Sequence, residues 1–426
     1  MYTDIFRELV DIMHHDYAGY LDKKGWDNPE EFESKIMELE RNSNLTPHSF
    51  LKIVEDYLLD FQDPHIFFNL IQAETQKKLD NGFRVRRYQD KLYVTTLSGE
   101  KRLKPGDAIL SLNNTPIPEL VRKHQRELME MKAEREDWRK IIRNYDVAEI
   151  IHLDGSTEFM ELKEYEKPEY VPQHTITKVA EDTLCMTLTD FNEPDTLTTL
   201  LSKHEQELAA TKNLIIDVRI NYGGSTLAYQ SLEKYLFPDH KITIDMQDYF
   251  MNFNITDRNA DFMIQSINEE LTKIDNEEYR NSLTRWKEEV WVKHRGKGLV
   301  SIEDEEEYEI TGTKSPKHIV VLTDNYCGSA GDIFVWLCKK SPKITVLGRP
   351  TMGVNDYSNL IDIKWNNQFQ LMYPTSRLNQ LDKRKPGAEP GIKPEIYIPW
   401  TPEHIRKDID MCCAMEILNE KNKAHR

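Results

Sequence analysis

The stretch from His318 to Gly353 constrains the fold of this chain more than any other segment. An apolar run rich in β-branched residues, 318–323, has the pattern of a buried strand and leads into the turn-forming residues 324–328. A helical pattern follows, and its apolar face carries Ala330, Ile333, Phe334, Leu337 and Cys338. A further strand and a turn complete the segment. Strands that alternate with helices in this way favour an α/β fold.

Ser329 lies at or just before the first turn of this predicted helix. The unpaired N–H groups of a helix start can stabilise a developing oxyanion, so a nucleophile is readily made reactive here. Serine is also a preferred N-cap of ordinary helices. The residue two before it is Cys327, where a Gly-x-Ser-x-Gly elbow would have glycine. Ser329 is therefore a candidate nucleophile that needs support from other segments.

A second strand pattern ends in a pair of glycines. The apolar run that starts at Leu214 enters a polar turn closed by Gly223 and Gly224. Adjacent glycines permit positive φ and let a backbone N–H approach a ligand closely. An ordinary strand-to-helix turn explains the same pair.

His65 follows a predicted amphipathic helix with Thr46 as its N-cap and Pro47 as its first residue. Pro64 disfavours a helical conformation at Asp63. The sequence therefore predicts that His65 lies in a turn, with a carboxylate two residues before it.

Four short motifs occur in order after this histidine. They are Asp217-x-Arg-x-Asn-x-Gly-Gly, Gly328-Ser329-Ala330-Gly331-Asp332-Ile333-Phe334, Gly348-x-Pro-Thr351-x-Gly353 and Glu389-x-Gly391-Ile392-x-Pro394-Glu395. Together they resemble the signatures of the tail-specific proteases, the carboxyl-terminal processing peptidases whose relatives include the tricorn protease core. The Asp63-Pro64-His65 segment is similar to the family's Asp-x-His-Thr, and residues 103–113 look like the carboxylate-binding half of a PDZ-like domain.

The resemblance implies a serine peptidase. In this reading, Ser329 attacks the peptide carbonyl, and the N–H groups of Ala330 and of Gly223 or Gly224 hold the oxyanion. A hydroxyl is a poor nucleophile until a base takes its proton, so the chain must also supply a base.

The resemblance offers two kinds of base. Relatives with a serine–lysine dyad have a lysine shortly after the Gly-x-x-Thr-x-Gly turn, where this chain has Val354, and Lys364 lies further on in a predicted strand. Relatives of the tricorn kind use an N-terminal histidine, and His65 fits that role. Its imidazole needs an acceptor that fixes one nitrogen. Glu389, near the position of the family's glutamate, and Asp63 are the two candidates.

Length and pattern predict several domains, because 426 residues exceed what one hydrophobic core usually serves. The resemblance adds a crotonase- and ClpP-like spiral core to the α/β class. The predicted parts are an N-terminal helical bundle at 1–80, a PDZ-like domain at 81–169 with a helical insertion at 118–147, a protease core at 170–400 with an insertion at 238–317, and a C-terminal helix at 401–426.

Net charge and sequence pattern disfavour several classes of partner and cofactor. The formal net charge of −17 disfavours nucleic acid and an anionic membrane surface. No apolar run reaches the roughly 20 residues of a membrane span, and the N-terminus has no secretory-signal pattern, so we expect a cytoplasmic protein. No zinc-ligand spacing occurs, and neither a metal nor another cofactor is expected. An oligomer is compatible with the sequence.

Three functional hypotheses remain at this stage. The first is a serine endopeptidase that cuts polypeptide tails or unfolded chains. The second is an inactive peptide- or ligand-binding scaffold of the same fold, motivated by the missing lysine and by Pro64, where tricorn-type relatives have serine. The third is an esterase or amidase for small acyl substrates. The thiol of Cys327, in the same turn as Ser329, is an alternative nucleophile.

Overall fold

The structure is a computed structural model that describes residues 2–71, 78–274, 277–302, 307–383 and 390–424. Its α-helices are α1 (Tyr2–His15), α2 (Pro29–Arg41), α3 (Pro47–Leu58), α4 (Ile117–Lys123), α5 (Gln125–Leu128), α6 (Arg139–Ile142), α7 (Pro194–Lys203), α8 (Glu205–Ala210), α9 (Gln230–Leu236), α10 (Asp257–Leu271), α11 (Glu277–Trp286), α12 (Ala330–Cys338) and α13 (Ile409–Ala424). None of these helices is long and apolar enough to cross a membrane.

The strands alternate with these helices over much of the chain. They are β1 (Phe67–Leu70), β2 (Leu79–Asp80), β3 (Phe83–Tyr88), β4 (Lys91–Leu97), β5 (Ala108–Leu112), β6 (Thr115–Pro116), β7 (Val147–Ile151), β8 (Thr157–Glu161), β9 (Tyr165–Glu166), β10 (His174–Ala180), β11 (Thr183–Leu188), β12 (Asn213–Asp217), β13 (Ile220–Asn221), β14 (Lys241–Asp245), β15 (Met251–Ile255), β16 (Gly298–Ser301), β17 (Glu307–Thr311), β18 (His318–Thr323), β19 (Tyr326–Cys327), β20 (Ile344–Gly348), β21 (Tyr357–Trp365), β22 (Phe369–Leu378) and β23 (Ile396–Tyr397). The mixed α/β class predicted from the sequence is confirmed.

The chain divides into two compact units. Unit 1 comprises Met1–Ala73, Thr243–Tyr308 and Val354–Glu389, and unit 2 comprises Glu74–Ile242, Glu309–Gly353 and Pro390–Arg426. Each unit is therefore assembled from segments that are distant in the sequence.

Unit 1 combines the N-terminal helices with an antiparallel sheet. In this sheet β22 pairs with β21 and with β1 and β15, and β16 continues from β15. One core joins the helices to the sheet, and its largest members include Phe6, Phe50, Tyr57, Phe61, Phe68, Phe369 and Tyr373. The predicted start of α3 is confirmed, because Thr46 Oγ1 accepts a hydrogen bond of 3.1 Å from the amide of Ser49 and Pro47 is the first helical residue.

The central sheet of unit 2 has the strand order β10-β11-β12-β18-β20-β23. Strands β11 to β23 in this order are parallel, and β10 is antiparallel to β11. All six residues of β18 are buried, as its apolar pattern predicts. Helix α12 follows β18, and α13 packs against β18 and β20. Parallel strands end at the same edge of a sheet, so the turns after β12 and β18 lie close together.

A second sheet of unit 2 is antiparallel, with the order β3-β4-β5-β7-β8 and β6 on β5. Its core includes Leu92, Ile109, Leu112, Trp138 and Ile150. The charged stretch between β6 and β7, expected to be helical, forms the short helices α4, α5 and α6.

Candidate active site

Ser329 lies in a strained turn between β19 and α12. Its backbone adopts φ 58° and ψ −123°, a left-handed conformation that costs a residue with a Cβ about 1–3 kcal/mol. The side chain is half-buried at the N-terminus of the helix. A sharp strand-to-helix turn of this kind presents a nucleophile to a ligand, although the local sequence lacks the Gly-x-Ser-x-Gly pattern.

The buried carboxylate of Asp332 ties this turn to a second turn. One oxygen accepts a 2.9 Å hydrogen bond from the amide of Ser329, and the other accepts a 2.9 Å bond from the amide of Gly353. Met352 also donates its amide to the carbonyl of Cys327, at 2.7 Å. Our sequence reasoning gave Asp332 no role. The available signal was the Ser-x-x-Asp spacing, which resembles a helix capping box.

Gly223 packs against Ser329 because it has no side chain. A Cβ at Gly223 would lie 2.6 Å from the Cβ of Ser329 and 2.8 Å from the carbonyl oxygen of Gly328, and its φ is +75°. The pairing of Asn221 with Cys327 in β13 and β19 brings the two turns to this distance. The glycine pair and the serine, which the resemblance placed in one site, are thus neighbours in unit 2.

The amides of this region differ in their availability. The amide of Gly223 donates to Asn221 Oδ1 at 3.0 Å, and the side-chain amide of the fully buried Asn221 donates to the carbonyl of Leu188 at 3.0 Å. The amides of Gly224 and Ala330 have no acceptor within the described part of the chain. These two N–H groups are therefore available to a ligand. The sequence gave no role to Asn221, which lies in the first motif.

A chain of buried ion pairs starts at Asp324, the first residue after β18. Arg86 donates to both oxygens of Asp324, at 2.7 and 2.6 Å, and Arg349 donates to Asp324 and to Asp410, at 2.6 Å each. The side chains of all four residues are at most 7% exposed. Burial alone would raise the pKa of Asp324, but the charges of Arg86 and Arg349 outweigh it and hold that pKa well below its ordinary range.

Arg135 holds the turn that follows β20. Its guanidinium donates to the backbone carbonyls of Pro350, Thr351 and Met352, at 3.1, 2.9 and 2.9 Å. The side chain is 1% exposed and also pairs with Glu130 at 3.0 Å. Asp332 connects this same turn to Ser329 through the amide of Gly353, so the turn is held by both Asp332 and Arg135.

Cys327 does not have the properties of a nucleophile. Its side chain is fully buried, and burial raises the pKa of the thiol well above its ordinary value. A thiol must ionise to attack a carbonyl group. The structure therefore favours the hydroxyl of Ser329 over this thiol.

His65 lies in unit 1, in the turn that the sequence predicts after α3. Its Nδ1 is 2.7 Å from the backbone carbonyl oxygen of Tyr357. A carbonyl oxygen can only accept, so this contact assigns the ring proton to Nδ1 and leaves Nε2 as an acceptor. The residue is 8% exposed.

Asp63 contacts the backbone of His65. One oxygen accepts from the amide of His65 at 2.9 Å, and the other accepts from the hydroxyl of Tyr17 at 2.7 Å. The ammonium of Lys23 donates to the Tyr17 hydroxyl at 2.8 Å, and burial lowers its pKa although Asp63 opposes the change. All four residues are at most 8% exposed.

The sequence also singled out Glu389 and Lys364. Glu389 lies outside the described residues, so its role stays a prediction. Lys364 is on β21 in unit 1, where its exposed ammonium pairs with Asp362 at 3.3 Å. Within the described ranges, no group of three or more His, Cys, Asp or Glu residues is arranged to hold a metal ion.

Comparison with known proteins gives a family and a fold. Peptidase family S41 matches residues 182–398, which is just over half of the 426 residues. Mature CPAF has a similar structure, with a TM-score of 0.65 and 12% sequence identity over 98% of this chain and 96% of that chain. Mature CPAF complexed with lactacystin gives a TM-score of 0.64 and 12% identity over 99% and 97%. No curated protein matches the sequence.

The family match covers the segments that carry the Gly223–Gly224 turn and the Ser329 turn, and at 12% identity the structural likeness shows the shared fold alone. The resemblance of the motifs to tail-specific proteases is confirmed. The chain belongs to peptidase family S41, the tail-specific proteases, and is a serine peptidase.

Proposed function

We propose that this peptidase is an endopeptidase that cuts polypeptide tails or unfolded chains, with Ser329 as the nucleophile and His65 as the general base. The strained backbone of Ser329, with Gly223 packed against its Cβ, is the observation that carries the proposal. Backbone strain of this kind is concentrated at catalytic positions, where it is maintained by the surrounding structure.

The proposed oxyanion site consists of the amides of Gly224 and Ala330. They flank the serine turn and have no acceptor within the described residues, whereas the amide of Gly223 is already bonded to Asn221. Donors that are fixed before the reaction stabilise the developing charge without a cost of reorganisation. The sequence left open whether Gly223 or Gly224 supplies the second donor, and we propose Gly224.

The proposed chemistry is acyl transfer in two steps. The Oγ of Ser329 attacks the peptide carbonyl carbon while Nε2 of His65 takes the hydroxyl proton. The tetrahedral intermediate collapses, the C–N bond breaks, and the imidazolium gives the proton to the leaving amine. Water, deprotonated by the same nitrogen, then hydrolyses the ester and restores the serine.

The carbonyl oxygen of Tyr357 would keep His65 in the required tautomer throughout this cycle, since it holds Nδ1 at 2.7 Å. We propose that Asp63 acts one step away, because its carboxylate holds the backbone amide of the histidine. Glu389 remains our candidate for a further polar partner of the base.

We also propose the finer architecture that the family resemblance implies. The parallel strands β11, β12, β18, β20 and β23 support a crotonase- and ClpP-like core, and the sheet of β3, β4, β5, β7 and β8 supports a PDZ-like domain at 81–169. Such a domain would bind a substrate tail by adding it as a strand to a sheet edge. A cytoplasmic location and an oligomeric state stay predictions.

The central experiment is covalent labelling of the folded protein with a fluorophosphonate probe. We expect wild type to incorporate one probe at Ser329, and Ser329→Ala and His65→Ala to incorporate none. Ser202→Ala and His48→Ala change exposed residues on α7 and α3 and serve as matched controls that keep wild-type labelling. A folded wild type that takes up no probe would favour the inactive scaffold.

A second experiment separates peptidase from esterase action. Wild type is incubated with a denatured protein and with a small acyl ester, and the fragments are identified by mass. We expect internal cleavage of the polypeptide and a loss on the order of 10⁶-fold in kcat for Ser329→Ala. Ester hydrolysis without any peptide fragment would contradict the endopeptidase proposal.

The pH profile tests the base. Histidine loses its acceptor function on protonation, and imidazole titrates between about pH 5 and 8. We therefore expect kcat/KM to fall as the pH is lowered through this range. An unchanged rate down to about pH 5 would exclude a histidine base.

A further inference from the structure

Three large apolar side chains are exposed beside the serine turn. Tyr222 is 56% exposed, Ile220 is 50% exposed and Tyr170 is 47% exposed. We call these three residues the aromatic rim. Single exposed apolar side chains are common, but a contiguous group next to a reactive serine indicates a contact for a ligand.

The strand β13 determines the direction of Ile220. Successive side chains of a strand point to opposite faces, and Asn221 is fully buried, so Ile220 points outward. Tyr222 directly follows the strand and is exposed as well. In the parallel pairing, Ile220 lies opposite Tyr326 of β19, about 5 Å away. Since β19 leads directly into Ser329 and Tyr222 precedes Gly223, the rim borders the proposed site.

Tyr170 is fixed in position against Tyr222. Its hydroxyl donates to Asp190 Oδ2 at 2.6 Å and lies 2.8 Å from Thr189 Oγ1. Burial and the hydrogen bond to Asp190 raise the pKa of Tyr170 to about 12. The rings of Tyr170 and Tyr222 meet edge to face, with centroids 5.2 Å apart. This pair is ordered before any ligand arrives, which reduces the entropy that binding costs.

We propose that the aromatic rim is a subsite for a large apolar side chain of the polypeptide substrate, one or two residues from the bond that Ser329 attacks. The proposal deepens the proposed function and rests on it. It makes the enzyme select aromatic or large aliphatic residues at one substrate position. Such residues are normally inside folded proteins, so this preference agrees with a substrate that is unfolded or a flexible tail.

A second copy of the chain is a less suitable occupant. Three side chains provide far less than the roughly 800 Å² per partner that a stable protein interface buries. A substrate peptide that is also held at the oxyanion amides needs only one such contact.

The closing experiment measures peptide binding without catalysis. In the Ser329→Ala protein, dissociation constants are determined for two otherwise identical Gly/Ser/Ala peptides, one with a central Phe and one with a central Ala. We expect the Phe peptide to bind about tenfold more tightly, because the rim removes part of the aromatic ring from water. Adding Tyr222→Ala should abolish the difference. Adding Phe159→Ala, which changes a similarly exposed aromatic residue on β8, should preserve it.

Each outcome is decisive. Equal binding of the two peptides, or a preference that survives Tyr222→Ala, overturns the subsite. Concentration-dependent self-association that Tyr222→Ala abolishes also overturns it and assigns the rim to a copy of the chain. Failure of the proposed function is seen separately, as absence of fluorophosphonate labelling in wild type, while the binding difference is measured in a protein that has no Ser329.

Discussion

The turn that carries Ser329 and the turn that carries His65 are held by different means. The serine turn combines a strained backbone, a glycine contact and a carboxylate that binds two amides, and it follows a buried chain of ion pairs. In the histidine turn, the ring and the amide of His65 donate ordinary hydrogen bonds to the carbonyl of Tyr357 and to Asp63, and the hydroxyl of Tyr17 donates to Asp63. Close packing and buried charge therefore fix Ser329, whereas short hydrogen bonds fix His65.

This difference has a physical consequence for each residue. In the proposed mechanism, Ser329 must present its Oγ and its neighbouring amides in one geometry, so the backbone itself has to be fixed. His65 as the proposed base must keep one tautomer, for which a single acceptor at Nδ1 suffices. We therefore expect the serine turn to fail on changes of volume or buried charge, and the histidine turn to weaken by smaller steps as hydrogen bonds are removed.

The largest effect is expected from removing a charge next to the serine turn. Arg349→Met leaves Asp410 and Asp324 with fewer partners in a buried site and should lower the free energy of unfolding by about 3–5 kcal/mol. Arg295→Met is the matched control, because its pairs with Asp261 and Asp257 are exposed and should contribute less than about 1 kcal/mol. Urea unfolding measures both, and equal losses would contradict the role of burial.

The next prediction tests the close packing of Gly223 against Ser329. Gly223→Ala places a Cβ 2.6 Å from that of Ser329. Because a misplacement of about 1 Å can cost about 100-fold in rate, we expect kcat to fall by about that factor. Gly155→Ala is the control, since Gly155 also has a positive φ, +85°, but a Cβ there meets nothing within 4 Å. A similar loss of kcat in both variants would show that conformational strain, and not the contact with the serine, is responsible.

The sequence predicted the strand and the helix next to the site residues better than the contacts that hold those residues in place. The run before Ser329 and the capped helix before His65 are local patterns, and β18 and α3 match them. The partners of Asp324 are not local, since Arg86 lies 238 residues away along the chain. An arginine on a strand such as β3 has no sequence feature that distinguishes a buried ion pair from a solvated surface residue.

The strain at Ser329 was also not predictable from the sequence. Positive φ is usually inferred from glycine or asparagine, and neither occurs at this position. The acceptor for His65 is a backbone carbonyl, which every residue has, so no side-chain pattern points to Tyr357. From the sequence we proposed Glu389 or Asp63 as the acceptor, because a carboxylate side chain can be recognised in a sequence and a particular backbone carbonyl cannot.

Acid should weaken the chain of buried ion pairs that precedes the serine turn. Burial would raise the pKa of Asp410, but the His404 ring nitrogen 3.4 Å from its carboxylate and the hydrogen bond from Arg349 lower that pKa to about 2. A carboxyl group with a depressed pKa stabilises the folded state above the pKa of the unfolded chain and loses that contribution on acidification. We expect about 2 kcal/mol to be lost between about pH 5 and pH 2, and little change from pH 5 to 7. Urea midpoints across this range measure it, and Arg349→Met should reduce the slope.

The smallest effect is expected at the histidine turn. Tyr17→Phe keeps the buried ring but removes the hydroxyl that donates to Asp63 and accepts from Lys23. Loss of these buried hydrogen bonds should lower the free energy of unfolding by about 1–2 kcal/mol. Because Asp63 still holds the amide of His65, kcat should fall only a few-fold at unchanged KM. Tyr20→Phe, whose hydroxyl has no hydrogen bond within the described residues, is the control. A loss of kcat as large as that of Gly223→Ala would show that the histidine turn is as tightly constrained as the serine turn, and the contrast between the two would then fail.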